Sequence, residues 1–407
     1  MLTDRLHSAR ILIYSHDTFG LGHLRRCRTI AHALVERYKG LSVLILSGSP
    51  IIGSFDFRAR VDFVRIPGVI KLHNGEYTSL GLHIDIQETL AMRASIIRHT
   101  AEAFAPDLFL VDKEPLGLEG EVESTLHMLH ERGTVNVLGL RDVLDDPVLL
   151  KREWHRKHAL PAVRALYDEI WVYGPRALGD PLAGLDLGPR TRQRVVHTGY
   201  LERFVANNAT RVQPAPFEDP YLLVTGGGGG DGAMMFDWVL RAYETDRGLT
   251  HPALFVLGPF MQPEAQREFM ARAERLDDVV VLTFDAHIEL LIQGAAALVA
   301  MGGYNTFCEI LSFDKPALLI PRSQPRREQL IRARRAEELG LTSMLDPAGA
   351  HDTASMIAAL RRLDHQAPPS AAGLEGLLDG LQVITSLVDR RLGGEFAAYG
   401  LLGAHGS

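Results

Sequence analysis

The chain has 407 residues, with 43 lysines and arginines against 50 aspartates and glutamates and a formal net charge of −7 at pH 7. That length predicts two domains, each able to bury a sizeable core, and the acidic balance argues against wholesale nucleic-acid binding, which needs a basic field. Only two cysteines occur, Cys27 and Cys308, in unlike contexts and without metal-ligand spacing, which fits reduced thiols in a cytoplasmic chain better than a disulfide framework.

The opening MLTDRLHSARILIYSHDT carries charges where a signal peptide needs an apolar run. Nowhere do about twenty apolar residues follow one another, so no spanning helix is expected, while attachment at a membrane surface stays open. Short β-rich runs then alternate with longer amphipathic stretches. They are ILIYS (11–15), SVLIL (42–46), VDFVRI (61–66), DLFLVD (107–112), VNVLGL (135–140) and EIWVY (169–173). Apolar strands separated by helices predict a parallel sheet covered on both faces.

Periodicity fades over 197–220, where Pro214, Pro216 and Pro220 cluster with asparagines as in a linker. A second series follows: YLLVT (221–225), ALFVL (253–257), VVVLT (279–283), ALVAM (297–301) and PALLI (316–320), spaced by helical segments near 233–247, 262–275 and 325–339. The expected organisation is therefore α/β, with one Rossmann-like domain over 1–205 and a second over 206–372. A C-terminal helix and tail over 373–407 would return to the first domain. Open parallel sheets bind ligands at the carboxyl ends of their strands, which predicts two doubly wound sheets facing across a cleft.

Both halves open as strand, glycine-bearing loop and helix. In HDTFGLGHLRRC (16–27), Gly20 and Gly22 precede His23, at the start of a helix whose Leu24, Ile30, Ala31 and Leu34 face a core. The positive helix end disfavours an imidazolium there, leaving a neutral ring able to accept a proton. In the second half Gly226, Gly227, Gly228, Gly229 and Gly230 run into Asp231 and a helix. Such a turn lets backbone N–H groups converge on an anion, although neither a Walker lysine nor a clean GxGxxG is present.

GLGHLRRCRTIAHAL, TGGGGGDG and the long stretch MGGYNTFCEILSFDKPALLIPRSQPRREQLIRARRAEELGL (301–341) resemble nucleotide-sugar glycosyltransferases of the GT-B fold. The nearest kin are family 28, which includes the peptidoglycan N-acetylglucosaminyltransferase. The resemblance spans about 10–345 and is strongest in the second half. It implies that Glu309 grips the ribose hydroxyls of the donor, and that Gly302, Gly303, Asn305 and Thr306 surround its phosphates. Phe284 and Ile288, with Asp285 between them, would hold a uracil-type base.

The same resemblance places His23 at the family's general-base histidine. Asp112, at the end of DLFLVD, is then either its orienting acid or a cap on the next helix, with Glu114 competing for both roles. It implies a metal-independent hexosyltransferase without cofactors, in which Arg322, Arg326 and Arg327 offset leaving-group charge, whereas Arg332, Arg334 and Arg335 read as a solvated helix face. The donor would be a UDP-sugar. The acceptor, a glycan, a lipid-linked glycan or a small molecule, would belong to cell-envelope or polysaccharide synthesis, at or near the inner face of the membrane. The loop GLGHLRRC is also similar to the UDP-sugar hydrolase of pseudaminic acid synthesis, so hydrolysis is an alternative, as is non-catalytic nucleotide-sugar binding. Trp154 among Lys151, Arg152, Arg156 and Lys157 reads either as a lipid-surface anchor or, preferably, as part of an ordinary helix.

Overall fold

A computed structural model describes residues 8–16, 22–71, 77–205, 217, 219–228, 230–285 and 287–393. Gly20, Gly229, most of the expected linker and the tail from 394 lie outside the described residues. The chain divides into two compact units, the first comprising residues up to Asp142, Pro147–Leu201 and the chain from Asp379, the second Val143–Asp146 and Glu202–Leu378.

Unit 1 runs β1 (Arg10–Ser15), α1 (Gly22–Arg37), β2 (Ser42–Ser47), β3 (Val61–Arg65), β4 (Val69–Lys71), β5 (Tyr77–Ser79), α2 (Ile86–Phe104), β6 (Leu108–Asp112), α3 (Glu123–Glu131), β7 (Val135–Arg141), α4 (Pro147–Arg156), α5 (Ala159–Leu166), β8 (Glu169–Tyr173), α6 (Gly188–Arg192) and β9 (Val195–His197). Its main sheet has the order β3-β2-β1-β6-β7-β8-β9, parallel throughout. Every residue of β6 and β8 is buried, which is why these segments read as unbroken apolar runs rather than alternating ones. Helix α1 buries Leu24, Cys27, Ile30, Ala31, Leu34 and Val35, the stripe expected of a helix lying on a sheet.

Unit 2 runs β10 (Tyr221–Thr225), α7 (Ala233–Thr245), β11 (Ala253–Val256), α8 (Pro263–Ala273), β12 (Val279–Leu282), α9 (Ile288–Gly294), β13 (Ala295–Ala300), α10 (Tyr304–Ser312), β14 (Ala317–Leu319), α11 (Glu328–Glu338), β15 (Ser343–Met344) and α12 (Thr353–Leu363). Its sheet, order β12-β11-β10-β13-β14-β15, is also wholly parallel. Its core joins Val224, Phe255 and Val299 of the sheet to Phe236, Trp238 and Val239 of α7 and Met356 and Leu360 of α12.

A last helix, α13 (Gly380–Leu392), belongs to unit 1 and packs on α1. The Tyr38 hydroxyl donates to the Thr385 carbonyl at 3.1 Å, and Arg391 Nε donates to the buried Glu169 at 2.7 Å. The sequence reading did not anticipate the antiparallel hairpin β4–β5 or the short edge strands β9 and β15. Two or three residues are too few to display a period.

One close approach locks the end of this sheet. A Cβ added at Gly139 in β7 would lie 1.9 Å from Oη of Tyr173, which ends β8 and is fully buried. Gly139→Ala is therefore expected to cost on the order of 1–3 kcal/mol, the usual penalty of overpacking. Urea unfolding measures the loss, and adding Tyr173→Phe, which removes the clashing oxygen, is expected to restore part of it.

Candidate functional site

In each sheet the strand order reverses beside the first strand, and at such a switch point the loops leaving the carboxyl ends diverge to open a crevice. In unit 1 the switch lies between β1 and β6. His16 follows β1, His23 stands in the first turn of α1, and Asp112 ends β6. The fold thus brings His23 and Asp112 together from positions 89 residues apart, with Nδ1 2.6 Å from Asp112 Oδ2. Gly22, the first residue of α1, is half-buried beside them.

Asp112 is buried, and both its oxygens are engaged by Arg26. Nε donates to Oδ1 at 2.9 Å and Nη2 to Oδ2 at 2.6 Å. Burial alone would raise this carboxyl, but the Arg26 charge and the hydrogen bond from His23 hold it well below the usual carboxylate range. An ionised carboxylate only accepts, so the proton of the neutral imidazole sits on Nδ1 and Nε2 keeps its lone pair. The His23 side chain is 20% exposed. Burial pushes it down to about 4, against the pull of Asp112. Its neutrality was expected from the helix end, and burial is the cause that lowers its pKa most, ahead of any neighbour's effect.

His16 stacks edge-on against His23 with ring centroids 5.5 Å apart, and burial likewise holds it well below its ordinary value. Glu114 accepts from Lys157 Nζ at 2.9 Å and lies 3.4 Å from Lys113 Nζ. Of the two acids considered for contact with His23, the structure brings Asp112 to it and pairs Glu114 with lysines. Arg26, Tyr173 and His16 were not singled out from sequence. Arg26 falls three residues after His23, on the same stripe as Leu24, Cys27 and Ile30, and that spacing was the available signal.

In unit 2 the switch lies between β10 and β13, and the two predicted phosphate elements leave these two strands. Gly226 is half-buried and Gly227, Gly228 and Gly230 are exposed. Gly227 has φ +68°, a conformation that favours glycine, and a Cβ there would meet Thr306 Oγ1 at 3.6 Å. The glycine turn therefore lies against the first turn of α10. Helix α7 begins after Gly232 and α10 after Gly303, neither with a side-chain cap among the described residues. Helix starts of this kind direct backbone N–H groups outward and favour an anion at their positive end. Gly302, at φ +73°, makes the turn into α10 above Leu319.

Asn305 Oδ1 accepts from Arg203 Nη2 at 2.8 Å. Glu309 is 1% exposed, on a helix that also buries Phe307, Ile310 and Leu311. Phe284 is exposed beyond β12, and Ile288, half-buried, begins the helix that returns the chain to β13. Arg322 pairs with Asp231 of the glycine segment and, at 2.8 Å, with Glu328, while its backbone N–H donates to Gln329. Glu328 and Gln329 were not anticipated from sequence. Arg326 and Arg327 lie 3.8 Å from Asp145 and Asp146 respectively.

One reading needs correction. Arg332 is not on a solvated face: it is 0% exposed and donates to the Gly302 carbonyl at 2.9 Å, beneath the turn. Trp154 is 2% exposed and packs inward, in line with the preferred reading of this stretch as an ordinary helix. Among the described residues no three histidine, cysteine or acidic side chains are grouped to hold a metal ion, and no helix is long and apolar enough to cross a membrane.

Residues 222–372 match the glycosyltransferase family 28 C-terminal domain. Over 161 residues the chain is 27% identical to an uncharacterized glycosyltransferase of Methanosarcina mazei, covering 40% of this chain and 39% of that protein. Over 214 residues it is 25% identical to one of Methanosarcina acetivorans, covering 51% and 53%. The chain thus spans about half or less of the length of these relatives. Among solved structures, the glycotransferase of kitacinnamycin superposes with a TM-score of 0.63 at 16% identity, over 95% of this chain and 100% of that one. The calicheamicin glycosyltransferase gives 0.58 at 16%, over 99% and 100%, and MurG of Acinetobacter baumannii 0.58 at 12%, over 94% and 99%.

Proposed function

We propose that the chain is a family 28-like glycosyltransferase of the GT-B fold, moving a sugar from a UDP-sugar donor to an acceptor hydroxyl without metal or cofactor. The observation that carries the donor assignment is the pair of helices leaving the switch point of unit 2, α7 and α10, which both start on glycine without a side-chain cap. In this reading the diphosphate takes the N–H groups of Gly226–Gly230 and of the Gly302–Thr306 turn, with Asn305 as a side-chain contact. Glu309 accepts from the ribose hydroxyls after a local opening of its buried site, since a carboxylate can accept from two vicinal hydroxyls. Phe284 and Ile288 hold the base.

The chemistry is a displacement. The acceptor oxygen attacks the anomeric carbon, the bond from that carbon to the diphosphate breaks, the acceptor proton passes to His23 Nε2, and the nucleoside diphosphate leaves. Its developing charge is stabilised by the two helix ends and by Arg322 turning from Asp231. An acceptor of cell-envelope or polysaccharide synthesis, met in the cytoplasm at the membrane face, accords with exposed Val148 and Leu149 beside exposed Lys151 and Arg152 on α4.

Thermal unfolding with UDP, GDP and dTDP and their sugars tests the donor site. UDP compounds at a hundred times their dissociation constant are expected to add roughly 2.7 kcal/mol of stability. Protection by none of the nucleotides would overturn the donor assignment. Product analysis with and without acceptor then separates transfer from release of free sugar to water, and unchanged turnover with a chelator is expected.

A further inference from the structure

The carboxylate of Asp112 is held by two nitrogens of one guanidinium, and the same Arg26 Nη2 lies 3.0 Å from His23 Nδ1. Three groups thus form one buried cluster, with Arg26 2% exposed and its guanidinium 5.9 Å from the centre of the Tyr173 ring. Arg26 accepts from nothing, so at Nδ1 it can only compete with, never replace, the hydrogen bond from His23 to Asp112. We infer that Arg26 is a positioning residue that keeps Asp112 ionised and correctly turned, and so fixes the proton of His23 on Nδ1 and its lone pair on Nε2. The inference rests on reading His23 as the base of the proposed reaction.

Two consequences follow, of opposite sense. By clamping both oxygens of Asp112, Arg26 selects the tautomer that can take a proton from an acceptor. By placing a permanent cation beside the ring, it also disfavours the imidazolium, so the base stays unprotonated far into acid. Among the described residues the other groups facing His23 are Lys113 beyond β6, which opposes protonation, and neutral His16 beyond β1, while Tyr173 of β8 lies beneath the cluster. Among these groups it is Asp112 that favours the charged ring. Removing Arg26 leaves that pull less opposed, and His23 should titrate higher.

Nitrogen-15 spectra of the imidazoles read both effects without substrate. The chain has 17 histidines, so the His23 signals are identified by their loss in His23→Gln. In the unaltered chain His23 is expected to remain Nδ1-protonated down to near pH 4. In Arg26→Met it should titrate at least about one unit higher, and the acid limb of kcat/KM should move with it. Arg26→Lys restores the charge but not the two-pronged grip, so its titration should stay low while the two tautomers mix.

An Nε2-protonated His23 in the unaltered chain would overturn the inference. So would an Arg26→Met variant with unchanged titration and acid limb, or, if that variant fails to fold, an Arg26→Lys variant with a single unchanged tautomer. A chain with the fixed tautomer but no sugar transfer would refute the proposed function alone. Transfer with an unfixed tautomer would refute this inference alone.

Discussion

Asp112→Ala is expected to destabilise the protein by about 3–5 kcal/mol, the cost of leaving a buried charge without its partner. Arg26 cannot shed its proton, is buried, and gives Asp112 two hydrogen bonds, so the variant strands a guanidinium in the interior. Urea titration reads the loss as a lower midpoint. The decisive comparison is the double variant Arg26→Met with Asp112→Ala. Replacing both charges removes the uncompensated cation, so the double variant should be more stable than Asp112→Ala alone, a strongly non-additive cycle. Additive losses would mean that the pair is not coupled as its geometry requires.

His23→Ala should reduce the rate of sugar transfer by roughly 10²–10⁴-fold, the usual contribution of a positioned general base. Donor affinity should change little, because the residues proposed to hold the nucleotide all belong to unit 2. The two quantities are measured separately, as turnover under saturating donor and as the thermal shift produced by the UDP-sugar. A variant with near-normal turnover would remove His23 from the chemistry, and one that lost donor binding with turnover would assign it a different role.

Much of this fold is legible in the sequence. Long apolar runs such as YLLVT announced buried parallel strands because burial on both faces erases alternation, and the glycine run announced a turn, which at Gly227 takes a φ of +68° that few other residues tolerate. The partnership of His23 with a strand-end acid depended on topology. Only the order of β1 beside β6 brings residue 23 to residue 112, and local sequence carries no pairing signal.

Buried arginines were the least legible feature. Arg26 sits among Arg25 and Arg28 and was not singled out, and Arg332 sits near Arg334 and Arg335, where charge alone suggested a solvated face. What distinguishes each is helical phase. Arg26 shares a stripe with Cys27 and Ile30, and Arg332 with Ala333 and Ala336, on the side turned to the interior. A guanidinium is tolerated there because a carboxylate or a carbonyl waits for it.

The return of α13 to unit 1 has a consequence for biosynthesis. Glu169 is buried in β8, yet the arginines that neutralise it, Arg390 and Arg391, are made some 220 residues later. The intervening unit is a nested insertion that can close on itself as it leaves the ribosome, since its strands and helices lie together in sequence. The unit translated first is therefore the one finished last, with an unbalanced carboxylate and the bare flank of α1 waiting through the elongation of the other half.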